Sequence, residues 1–118
     1  MRIGELSART GASVRSLRYY EEQGLLTAER DSAGRRRYAE AAVARVALIR
    51  RGFAASLSSR VIADLLPLLD AECVPRTRAL LVAEQDRLEA QIAAMTQARV
   101  RLSEVIAIVT DPTWECDA

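Results

Sequence analysis

The sequence predicts a mainly α chain, and three observations carry that expectation. Apolar residues in 1–24 recur at helical spacing in two short stretches parted by a glycine-containing turn; residues 40–53 and 58–69 repeat the spacing; residues 75–109 hold it without a break. One stretch, 25–38, reads instead as a hairpin. Half of the 118 residues are apolar, enough for one domain with a core plus an extension.

The first pattern is Ile3, Leu6 and Ala8, closed by Thr10 and by Gly11, a residue that tolerates positive φ. Ser13 then caps a second helix over residues 14–23, and Gly24 stands where a C′ residue belongs. Val14, Leu17 and one of the tandem tyrosines, Tyr19 or Tyr20, share a core-facing stripe. Arg15, Ser16, Arg18 and Tyr19 are left largely on the free face, which is cationic and rich in hydroxyls. Two brief helices joined this way form a helix-turn-helix, whose second helix enters the major groove of DNA.

In residues 25–38, Asp31, Ser32 and Gly34 are turn formers between two arms, and the return arm carries Arg35, Arg36 and Arg37 before Tyr38. Three successive strand residues alternate faces, so these arginines do not all make the same contact. The next helix spans residues 40–53, with Ala39 where a capping side chain is expected, and Gly52 with the small residues after it breaks it. Ser58 caps another, whose stripe is Val61, Ile62, Leu65, Leu66 and Leu69 and whose last turn Pro67 weakens.

The opening MRIGELSARTGASVRSLRYYEEQGLL, with GRRRY at 34–38 and LSSRVIADLLPLL at 57–69, resembles the start of a MerR-family transcriptional regulator. That resemblance implies a winged helix-turn-helix DNA-binding domain over residues 1–70, with the hairpin as a wing on the flank of the inserted helix. It also implies a second wing touching backbone phosphates, which would involve Arg51 or Arg60. The family often has an aromatic at the position of Arg35 and a glycine at that of Ser56, so the chain departs from its pattern there. Arg15 and Ser16 are expected on base edges, Arg18 on phosphate or base, Tyr19 and Tyr38 on phosphate or sugar, and Arg35, Arg36 and Arg37 as the wing's contacts. Such regulators bind promoters with an overlong spacer and act by distorting the duplex, so RNA polymerase is engaged indirectly, through the promoter.

Charge is distributed as this reading requires. Residues 1–60 hold twelve arginines against six acids, and residues 61–118 five against ten. The first half therefore suits a polyanion and the second half water or another protein chain. Every basic residue is arginine, whose planar fork suits phosphate and guanine edges.

From Pro75, a suitable first helical residue, Leu81, Leu88, Met95, Leu102 and Val109 recur every seven residues, and Ile92 and Ile106 widen the stripe. A helix over 75–109 is roughly 50 Å long, more than the preceding domain can cover. Burying five such side chains stabilises by on the order of 10 kcal/mol before entropy costs. The expectation is a long antiparallel coiled-coil dimerisation helix pairing two copies of the chain, with Gln85 and Arg99 fixing register and residues 110–118 as a short tail. A dimer predicts an inverted-repeat site in double-stranded promoter DNA.

Enzyme chemistry is not expected, because histidine and a glycine-rich phosphate loop are both missing from the sequence. No stretch is apolar enough to span a membrane or serve as a signal peptide, which points to the cytosol. Cofactor and effector are both left open. One alternative is metal or thiol sensing: in an antiparallel pair Cys73 of one chain would approach Cys116 of the other, and two thiolates suit a soft ion such as Cu(I) or Hg(II). The close-spaced cysteine pair of the family's metal sensors is missing here. A coiled-coil adapter that never touches DNA is a further alternative, and it leaves the arginine-rich first half without a role.

Overall fold

The structure is a computed structural model and describes residues 1–113, so Trp114 and Cys116 lie outside the described residues. It is mainly helical and divides into two compact units, Met1–Thr77 and Arg78–Ala118. Its elements run α1 (Ile3–Thr10), α2 (Val14–Glu22), β1 (Glu29–Arg30), β2 (Arg36–Arg37), α3 (Ala42–Ala54), α4 (Ser59–Asp70) and α5 (Val74–Thr110).

In the first unit the helices close over Leu6, Leu17, Leu25, Val46, Ile49 and Ile62, all of them sealed from solvent. The turn between α1 and α2 is tied by side chains. Thr10 Oγ1 donates to Leu6 O, Ser7 Oγ donates to Ala12 O at 2.6 Å, and Arg50 of α3 donates to Thr10 O at 2.6 Å. Ser13 caps α2 as expected, accepting from Ser16 N at 3.0 Å.

Helix α2 ends in a reversal in which Gly24 N–H donates to Glu21 O and Leu25 N–H to Tyr20 O, with Gly24 at φ +72°. Leu25 is thereby turned straight into the core. Two further helices end in the same pattern. Ser56 N–H donates to Phe53 O and Leu57 N–H to Gly52 O after α3; Glu72 N–H donates to Leu69 O and Cys73 N–H to Leu68 O after α4. There the left-handed residues are Ser56 (φ +63°) and Glu72 (φ +52°), neither of them glycine.

Strands β1 and β2 pair antiparallel, Glu29 opposite Arg37 and Arg30 opposite Arg36. Asp31 builds the tip, its Oδ1 accepting from Ala33 N and Arg35 N at 2.9 Å each. Each strand has only two residues, both exposed. By Tyr38 the chain has already left the hairpin for the core.

Helix α3 starts at Ala42, two residues later than expected. Glu40 lies in the turn before it and pairs with the Arg9 guanidinium through both oxygens, which holds the Glu40 carboxyl below its ordinary range. Gly52 is a correction to the sequence reading: it does not break α3 but lies inside it, buried, at the crossing with α4. A Cβ there would meet Ile62 Cδ1 and Cγ1 at 3.0 Å, so the missing side chain is what lets the two helices approach. Helix α4 begins on the Ser58 cap and continues past Pro67 to Asp70.

Helix α5 supplies the helical part of the second unit and runs for 37 residues with no buried residue. Leu81, Ile92, Met95, Leu102 and Val109 are exposed, from 40% at Leu81 to 72% at Met95, and Leu88 is half-buried.

Gly52→Ala is expected to lower stability by about 1–2 kcal/mol in urea unfolding, although alanine favours helix, because Ile62 is walled in and cannot yield. Combining it with Ile62→Val should cost less than the sum of the two single changes.

Candidate nucleic-acid interface

Only two side chains of α2 are buried, Leu17 and Tyr20. The Tyr20 ring stacks on Phe53 of α3, centroids 5.7 Å apart and planes 15° from parallel. Tyr19 leans on the Phe53 ring from outside, centroids 6.4 Å apart and planes tilted by 47°, and stays 43% exposed. The tandem tyrosines are thus divided, one to the core and one to the surface.

The opposite face of α2 is an open depression lined by Val14, Arg15, Arg18, Tyr19 and Glu22. Neither Arg15 nor Arg18 has an ion-pair partner among the described residues. The first turn of α2 holds no acidic residue, so the positive end of the helix dipole is not offset by its own side chains. Ser16 is half-buried in that turn with its hydroxyl 3.0 Å from the Ser13 hydroxyl. Unneutralised guanidinium groups at the start of an exposed helix can bind phosphate oxygens or base edges.

The three wing arginines differ. Arg35, at the tip, has no ion pair among the described residues, whereas Arg36 Nη1 lies 3.3 Å from Glu21 Oε2 and Arg37 Nε 3.5 Å from Asp31 Oδ2. The backbone N–H of Arg35, then that of Ala33, and finally the Arg37 side chain hold the Asp31 carboxyl below its ordinary range. Arg30 stiffens the tip from the other strand, donating to Gly34 O at 2.8 Å. Arg51 and Arg60, in the last turn of α3 and the first of α4, are exposed on either side of the Ser56 reversal.

Tyr38, expected to reach a phosphate or sugar, is 2% exposed in the unbound chain and its hydroxyl donates to Glu21. Burial, then the Glu21 hydrogen bond and charge, push its phenol up to about 12. It fastens the root of the wing to α2. Glu21 was missed by the sequence reading although a signal existed: it lies four residues after Leu17, at the edge of the buried stripe, where it must meet whatever packs beside α2.

Cys73 is half-buried and unbridged, with its carbonyl accepting from Thr77 N and Thr77 Oγ1. The Cys116 half of the thiol reading falls outside the described residues. Among the described residues no cluster of three metal-ligating side chains forms, and no helix is long and apolar enough to cross a membrane.

A short arginine-faced helix set after a capped turn, with a basic hairpin beside it, defines a DNA-binding protein of the helix-turn-helix class. The chain belongs to the MerR HTH regulatory protein family, whose model matches residues 1–69. These are transcription regulators, not enzymes. The nodulation protein NolA of Bradyrhizobium sp. (strain NC92) is 39% identical over 106 residues, which make up 86% of this chain and 41% of that protein. The chain therefore spans about two fifths of that relative's length. A SoxR homolog of Chromobacterium violaceum, an HTH-type transcriptional activator, is 36% identical over 73 residues, 62% of this chain and 49% of that one. Among solved structures, the regulator PbrR691 of Ralstonia metallidurans CH34, in complex with lead(II), superposes with a TM-score of 0.78 at 29% identity, covering 99% of this chain and 91% of that one.

The Tyr38 shift carries a sign. The folded chain keeps a phenolic proton that the unfolded chain releases near pH 10, so stability is full below that pH and falls as pH rises from 10 toward about 12. Tyrosinate absorbance should show a late-titrating step, and Tyr38→Phe should abolish both that step and its share of the alkaline loss of stability.

Proposed function

We propose that the chain regulates transcription as a homodimer that reads an inverted repeat in promoter DNA and acts by distorting the duplex. The observation that carries this is that Arg15 and Arg18, on the free face of α2, have no ion-pair partner among the described residues. In this reading residues 1–70 bind DNA, residues 75–109 pair the chains and residues 110–118 form a tail. Arg15 and Ser16 address base edges, Arg18 phosphate or base, Tyr19 phosphate or sugar, and Arg35 a phosphate beside the groove, with Arg36 and Arg37 available once their carboxylates give way. Tyr38 works from within, by holding the wing. A dimer with wings on the outer phosphates grips both sides of a central segment that it can bend, and polymerase meets the result through the promoter.

The exposed stripe of α5 supports the pairing. Leu81, Leu88, Met95, Leu102 and Val109 occupy one heptad position, and Gln85, Ile92, Arg99 and Ile106 occupy the other. A parallel pair would set Arg99 against Arg99 in one layer, two like charges in a desolvated seam. An antiparallel pair places Arg99 opposite an apolar residue, where its stem packs and its head reaches water, so the antiparallel arrangement is favoured.

Arg18→Ala should weaken specific duplex binding by roughly 1–3 kcal/mol with unchanged thermal stability, measured by electrophoretic retardation at two salt concentrations. Retention that ignores both the substitution and the salt would remove Arg18 from the interface. Leu102→Asp should turn the sedimenting dimer into monomer and lower duplex affinity by about tenfold or more, because each reading helix then binds alone. A variant that stays dimeric would place the pairing surface elsewhere.

A further inference from the structure

The carboxylate of Glu21 stands between the two arginine-bearing elements. Its Oε2 takes Arg36 of the wing at 3.3 Å, its Oε1 accepts from the Tyr38 hydroxyl, and the side chain is only 16% exposed. Arg35, one residue earlier, has no such partner among the described residues, nor do Arg15 and Arg18. Two neighbouring guanidinium groups on one wing are thus in opposite states, one neutralised and one free.

We infer that Glu21 is a specificity-determining residue: its carboxylate holds Arg36 in the place of a DNA phosphate, and releases it only to a duplex seated closely enough to present one. The inference rests on the DNA reading above. A phosphate and a carboxylate offer the same anionic oxygens to one guanidinium, so the two compete directly. A loosely bound, non-cognate duplex is held by counterion release, to which each arginine that meets a phosphate adds about 0.9 in the slope of log K against log salt. Its phosphates shift relative to the wing and do not displace a carboxylate fixed from behind by Tyr38. A cognate duplex, locked in register by α2, presents the same phosphate continuously and wins the exchange. Glu21 therefore lowers affinity for wrong DNA more than for right DNA, a repulsive element that sharpens discrimination. Tyr38 keeps the device set, since its buried hydroxyl donates to the other oxygen of the same carboxylate.

The test uses the full chain and a random-sequence duplex, with binding followed by fluorescence anisotropy over a range of salt. Glu21→Gln retains an acceptor for Tyr38 and removes the charge. It should bind the random duplex about two- to fivefold tighter at low salt, the scale of one exposed ion pair, with a slope steeper by about 0.9 per chain. In the wild-type background Arg36→Gln should flatten the slope much less than Arg35→Gln does, and in the Glu21→Gln background the two should flatten it equally. An unchanged slope in Glu21→Gln, or equal losses for Arg35→Gln and Arg36→Gln in the wild type, overturns the inference while leaving the DNA reading intact. Should Glu21→Gln fail to fold, the wild-type comparison of the two arginine variants decides by itself. Wild-type chain that binds no duplex at any salt overturns both.

Discussion

The arrangement depends on how little holds α2. Nine residues are too few for a helix to persist in water unaided, and this one presents only Leu17 and Tyr20 to the interior. Its orientation is therefore set by Leu17 in the core and by the Tyr20 ring lying flat on Phe53, which follows Gly52 at the close crossing of α3 and α4. A shift in that crossing would reach Arg15 and Arg18 through that stacked pair of rings and through the Arg50 tie to Thr10. The reading face is thus positioned from a crossing whose own residues lie buried behind it.

Where each helix stops is settled by a recurrent reversal, and here the limits of the sequence as a guide become physical. After α2 the left-handed residue is Gly24, which carries no steric penalty and was legible as a stop. After α3 and α4 the same conformation falls to Ser56 and Glu72, at a cost of roughly 1 kcal/mol or more each that the surrounding structure must offset. The buried Leu57 that follows Ser56 is part of that offset. The family resemblance marks the Ser56 position, where glycine is usual, but nothing in the local composition marks Glu72, and Gly52 looks like a stop and is used for its missing Cβ instead. Local propensity identifies helices whose caps are ordinary, and it misreads a residue whose role is set by a partner helix ten positions away.

The same distinction applies to the charges. The excess of arginine in the first half was visible in the sequence, as was the face of α2 that carries it. Which arginines are already neutralised was not, since Arg36 finds Glu21 fifteen positions back and Arg37 finds Asp31 across the hairpin. Tyr38 was read as the end of the wing's return arm, and with only two residues in β2 the chain turns inward by that position. Its burial makes it the connection that fixes the wing to α2 through Glu21.

Helix α5 poses the complementary problem: a stripe of leucine, isoleucine, methionine and valine that one helix cannot bury by itself. The two halves of the proposed mechanism then need each other. A single short reading helix with one small wing contacts too little DNA for tight, selective binding, because such modules bury modest areas and gain much of their affinity from phosphates common to all sequences. Joining two copies makes the second contact intramolecular, at an effective concentration far above that of free protein, so two weak and partly neutralised surfaces discriminate together as neither would alone. In that arrangement the internal pairing of Arg36 and Arg37 is useful, because it trims the affinity that carries no sequence information and leaves Arg15 and Arg18, the groups proposed to face the duplex from α2, without an ion-pair partner among the described residues.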